Sequence, residues 1–130
     1  MLRRLADAAL LGVLAAQLTI EVLAEEPKSL SSWGRELFEA HCASCHGADG
    51  TGNGPAARTL KPPPSDLTRI RERNGGIFPR LEVVRFIDGE RPVSAHRSAD
   101  MPKWGRLFSQ HGHSGPEVYA VTDYIASIQK

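Results

Sequence analysis

Several residue types are scarce in this chain of 130 residues, and each scarcity removes a class of protein. Cysteine occurs twice, at Cys42 and Cys45, so a framework of several disulfides is excluded. A single bridge between two residues this close would close too short a loop to constrain an unfolded chain much. Methionine also occurs twice, at Met1 and Met101, and aromatic residues make up only 6%. The net charge is +1, with neither a basic stripe for nucleic acid nor an acidic tail. There is no alternating strand pattern and no internal repeat. No apolar run reaches the ~20 residues that a membrane-spanning helix wants.

The N-terminus reads as a secretory signal. Arg3 and Arg4 give it a basic start, Ala8 to Ile20 is largely apolar, and Val22-Leu23-Ala24 offers a small-residue cleavage site. Residues 1–24 are therefore expected to be a signal peptide and residues 25–130 a single mature domain. The alternative is an uncleaved membrane anchor, which Gln17, Thr19 and Glu21 weaken. No cysteine lies near the cleavage site to carry a lipid. A domain this small buries a thin core and usually needs a staple.

Past a polar lead-in, Ser31 or Ser32 is placed to cap a helix whose apolar face carries Trp33, Leu37, Phe38 and His41. Glycines 47, 50, 52 and 54, followed by Pro55, then interrupt the chain, and Lys61-Pro62-Pro63-Pro64-Ser65 must be extended. Asn74-Gly75-Gly76 marks a turn. Pro79 suits the first position of a second helix, with Leu81, Val83, Val84, Phe86 and Ile87 apolar and Gly89 at its end. A polar loop from Glu90 to Asp100 leads to Met101-Pro102. Ser114 and Pro116 open a C-terminal helix with a stripe of Val118, Val121, Ile125 and Ile128, and Tyr124 beside it. The expected architecture is all-α, with loops covering much of a cofactor.

That cofactor is indicated by Cys42-Ala43-Ser44-Cys45-His46. Two thiols three apart on a turning backbone can reach neighbouring points on one edge of a flat macrocycle, and the next imidazole can reach its metal. The pentapeptide is the attachment pattern for haem c, with thioethers through Cys42 and Cys45 and iron ligation by His46. Haem would also be the missing staple, since its apolar faces can form the centre of a core. Zinc fits less well: a second close pair of ligands is wanted, and only His111 and His113 offer one. A thioredoxin-type motif would need a βαβ context that is absent.

For the sixth iron position, Met101 is the candidate. It stands between Asp100 and Pro102 in a polar loop, a poor address for a methionine that merely fills a core. A thioether favours reduced iron, and His/Met ligation raises the reduction potential. His96, His111, His113 and His41 compete, but a loop histidine is usually solvated and His41 adjoins the motif on its own helix. A carbonyl near Gly54-Pro55 is placed to orient the His46 ring, although the same residues suit a simple turn. Trp104 is placed to pack on the macrocycle edge, and Arg69, Arg71 and Arg73 are candidate propionate partners.

Together these residues resemble the class I c-type cytochromes, in particular small exported monohaem ones. The resemblance rests on Gly34-x-x-x-Phe38, Cys42-x-x-Cys45-His46-Gly47, Gly54-Pro55, Met101-Pro102-x-Trp104-Gly105, and Val121 with Tyr124 in the last helix. It implies the cytochrome c fold, about 3–5 helices around one covalent haem. The N- and C-terminal helices would cross at Gly34, Phe38, Val121 and Tyr124. The glycine-rich run and the Pro62–Pro64 segment depart from the mitochondrial pattern and look closer to bacterial domains.

The expected function is one-electron transfer in the periplasm, by a monomer that meets donor and acceptor proteins and is not an enzyme. One alternative is a haem subunit of a larger, membrane-associated dehydrogenase or oxidase. Another is a peroxidase-like or gas-binding haem with a labile sixth ligand, using His96 and Arg97.

Overall fold

The computed structural model describes residues 28–90, 101–108 and 115–130. The expected signal peptide, the 91–100 loop with His96 and Arg97, and Ser114, His111 and His113 lie outside them. The described residues are helical and contain no strand. In chain order the helices are α1 (Leu30–His41), α2 (Ala43–His46), α3 (Ile70–Arg73), α4 (Arg80–Asp88), α5 (Trp104–Phe108) and α6 (Pro116–Ser127). Two 3-10 turns, Ala57–Thr59 and Leu67–Arg69, lie between α2 and α3. The all-α class expected from the sequence is what is seen.

Helix α1 begins earlier than the serine pattern suggested. Ser29 is its N-cap, in extended conformation, with its hydroxyl oxygen accepting from the Ser32 amide at 3.1 Å. Three serines compete in this stretch, and only the first has an amide three residues on that is still without a helical partner. Pro79 likewise stands one residue before α4 as its N-cap, and Gly89 ends that helix in the left-handed conformation. Pro116 takes the first turn of α6, where its missing N–H costs nothing.

The core forms where α1 crosses α6. Phe38, Val118 and Ala120 are fully buried, and Val83, Val84, Ile87, Val121 and Ile125 close around them. Gly34 permits the crossing: a Cβ there would collide with the Ala120 carbonyl and lie 3.1 Å from Tyr124 Cβ. The rings of Phe38 and Tyr124 meet with centroids 5.2 Å apart, tilted by 54°. Arg80 of α4 forms an ion pair with Asp123 of α6. Gly34, Phe38, Val121 and Tyr124 lie where the resemblance implied, and Val118 and Ala120 share the crossing with them.

No helix among the described residues is long and apolar enough to cross a membrane.

Candidate functional site

The residues from Cys42 to His46 turn on a single helical bend. Cys42 closes α1 through its amide on the Phe38 carbonyl at 2.8 Å and also starts α2. That places Cys42, Cys45 and His46 in the wall of one cavity of about 370 Å³. Its other walls are mainly apolar: Phe38 and Ile87 from the core, Val121 and Ile125 from α6, and Pro62–Pro64 from the extended loop. Met101, Pro102 and Trp104 line the same cavity. Met101 is separated from the motif by more than fifty residues of chain, yet it lines the same cavity while staying 42% exposed.

Both cysteines are free thiols at intermediate burial. Burial pushes the Cys42 thiol up to about 12, and the adjacent Cys45 adds to the effect. Burial likewise lowers the His46 imidazole from its ordinary value, partly offset by its hydrogen bond to Ser65. His46 Nδ1 lies 3.2 Å from the Ser65 carbonyl oxygen. A carbonyl only accepts, so Nδ1 carries the proton and donates, leaving Nε2 with a lone pair for a metal.

The orienting carbonyl is thus at Ser65, not near Gly54-Pro55. Gly54 has a different task. Its amide donates to the Cys45 carbonyl at 3.2 Å, and a Cβ there would lie 2.6 Å from the Ala43 carbonyl oxygen. The Gly54-Pro55 segment is therefore pressed against the backbone of α2, and the next amide, Ala56, donates to Ser44 at 2.9 Å. Nothing in a sequence distinguishes which backbone carbonyl will face an imidazole, because every residue carries one.

His41 also lines the cavity, but its ring is engaged elsewhere. It packs on Trp104 at 5.3 Å and edge-on to Phe108 at 5.2 Å, while those two stack on each other at 5.3 Å. Of the three arginines, Arg69 is held by Glu72 through two contacts of 2.6 and 2.7 Å. Arg73 lines the cavity and donates from Nη2 to the Asp66 carbonyl at 2.7 Å. Arg71 does not line the cavity; its amide donates to Gln129 Oε1 at 2.8 Å.

A mainly apolar cavity lined by two cysteines, a histidine and a methionine suits a flat, metal-bearing, mainly apolar group attached through sulfur. A family model described as Cytochrome c matches residues 31–129. The chain belongs to the cytochrome c family. Its cofactor is accordingly haem c, and a cytochrome c domain is an electron-carrying one. No curated protein and no solved structure gives a match.

Proposed function

We propose that this cytochrome is an exported monohaem carrier, held by thioethers at Cys42 and Cys45, with His46 Nε2 and the Met101 sulfur as the two iron ligands. The observation that carries the proposal is the presence of Met101 in the same apolar cavity as Cys42, Cys45 and His46. When bound, the haem supplies a one-electron couple between ferric and ferrous iron. The chain's residues do the rest. The Ser65 carbonyl fixes the His46 ring and its tautomer. Phe38, Ile87, Val121 and Ile125 give the cavity an apolar wall that would keep water from the haem. Arg73 brings a positive charge to the cavity wall, suited to a propionate.

Were His46 and Met101 to hold both axial positions, no place would be left open for a substrate, which favours a carrier over an enzyme. Export to the periplasm is supported by the leader-like pattern of residues 1–24, with cleavage leaving 25–130. The partners are donor and acceptor redox proteins, met in brief encounters of small area; the near-neutral charge predicts only modest electrostatic steering.

Carbon monoxide tests the proposal. The ferrous wild type is expected to bind it poorly and Met101→Ala readily. Ready binding by the wild type would contradict a closed six-coordinate site.

A further inference from the structure

The Ser65 carbonyl that orients His46 belongs to the loop following three prolines, and Ser65 itself is exposed. A carbonyl in such a loop keeps its aim only if the chain after it is held. That chain is tied at several points. Asp66 Oδ1 accepts from the Thr68 amide at 2.9 Å and from the Thr68 hydroxyl at 2.7 Å, and the Leu67 amide donates to the Gly50 carbonyl at 2.7 Å. These ties are local or come from the glycine-rich run.

Two ties come from the far end of the chain: the Lys130 amide donates to the Thr68 carbonyl at 2.9 Å, and the Gln129 side chain makes three further bonds. The Gln129 amide nitrogen donates to the Leu67 carbonyl at 2.7 Å and to the Ile125 carbonyl at 2.9 Å. Its oxygen accepts from the Arg71 amide at 2.8 Å. Two carbonyls on one side and an N–H on the other admit a single orientation of the carboxamide. Each partner is a backbone group near a helix end: Arg71 in the first turn of α3, Ile125 in the last turn of α6, and Leu67 at the start of a 3-10 turn. The Arg71 N–H and the Ile125 carbonyl are of the kind that helix ends leave unpaired, so Gln129 satisfies these two, reaches the Leu67 carbonyl as well, and joins α6 to both ends of the Leu67–Arg71 segment.

We propose that Gln129 is a positioning residue for His46, clamping the Leu67–Arg71 segment to α6 so that the Ser65 carbonyl stays on Nδ1. The proposal rests on the reading of His46 as an iron ligand. A firm Nδ1–H···O=C bond makes the imidazole more basic and stabilises ferric iron. A loosened one raises the reduction potential. Glutamate at 129 keeps the acceptor for Arg71 but sets a carboxylate against two carbonyls; methionine keeps the length and loses all three bonds.

The test uses the holoprotein, with NMR exchange of the His46 Nδ1–H and redox titration as readouts. In Gln129→Met and Gln129→Glu the ring N–H is expected to exchange at least about fivefold faster, the size of effect one lost hydrogen bond gives. The potential is expected to rise while the Phe38 and Val121 amides keep their wild-type exchange. Unchanged ring exchange and potential would overturn the proposal, and so would uniform acceleration of every amide, which marks a purely structural role. The wild type supplies a check that needs no variant: the His46 Nδ1–H and the Arg71 amide should open together, and opening constants differing by more than about tenfold would contradict the clamp. A wild type whose His46 ring N–H shows no displacement by the haem iron would instead remove the ligand reading, whatever Gln129 does.

Discussion

The Ser65 carbonyl oxygen stands 3.2 Å from His46 Nδ1, so the tautomer of the proposed iron ligand is set by a backbone group nineteen residues away. Gly52 sits behind that contact. It has φ +86°, its amide donates to the His46 carbonyl at 2.7 Å, and a Cβ on it would collide with the Pro64 carbonyl. Gly52→Ala is therefore expected to cost about 1–3 kcal/mol from the positive φ and the collision. Displacement of Pro64 and Ser65 is also expected to shift the reduction potential. Denaturant unfolding and redox titration of the holoprotein check both, and wild-type values in each would contradict the role given to this turn.

At the helix crossing, Phe38 is fully buried against the Tyr124 ring and Gly34 lies under the Ala120 carbonyl. Phe38→Ala is expected to cost about 3–5 kcal/mol by opening a cavity. Gly34→Val is expected to force α1 and α6 apart and lower the yield of folded holoprotein, because the obstacle is backbone and cannot rotate away. Equilibrium unfolding measures the first and haem content per chain the second. A Gly34→Val protein of normal stability would show that the close crossing is dispensable.

How much of this was legible in the sequence follows from what kind of group carries each feature. The attachment motif, Met101, the Gly34–Phe38 and Val121–Tyr124 crossing and the three longer helices are written in side chains with definite spacing. Ser65 and Gln129 are not. The first acts through its carbonyl, and the second is one glutamine whose partners are all backbone groups. The short segments Ala57–Thr59, Leu67–Arg69 and Ile70–Arg73 span too few residues to show a period. The serine-rich start of α1 pointed to Ser31 or Ser32 as the cap, whereas Ser29 takes that place through a local bond to the Ser32 amide.

Acid should loosen the loop behind His46 first. The Asp66 carboxyl is held below its ordinary 3.8, chiefly by the Thr68 hydroxyl, against an opposing burial effect, with the Thr68 amide, Lys130 and Arg73 adding smaller downward contributions. A lowered folded-state value means that this carboxylate stabilises the fold at and above pH 4. The contribution is lost as pH falls below 3.8 through the folded value. Asp66→Asn is expected to flatten the dependence of stability on pH below 4 and leave its slope near neutrality unchanged. Thermal unfolding followed from pH 7 to pH 2 measures this, and an unaltered acid slope in the variant would show that Asp66 does not carry it.

Removing the cofactor should undo more than the site. Phe38, Val83, Ile87, Val121 and Ile125 belong both to the core and to the cavity wall, so the two are one apolar unit. Cys42→Ser combined with Cys45→Ser is expected to leave no covalent haem on denaturing electrophoresis and to reduce helical circular dichroism. Helicity equal to that of the holoprotein would mean that the fold does not need the haem as its centre.

The pairing of Met101 with His46 as iron ligands is tested most directly by the near-infrared absorption of the ferric holoprotein, where a sulfur-to-iron charge-transfer band reports methionine ligation. The wild type is expected to show the band and Met101→Ala to lack it. A Met101→Ala protein with the wild-type band and an unchanged low-spin spectrum would contradict the assignment.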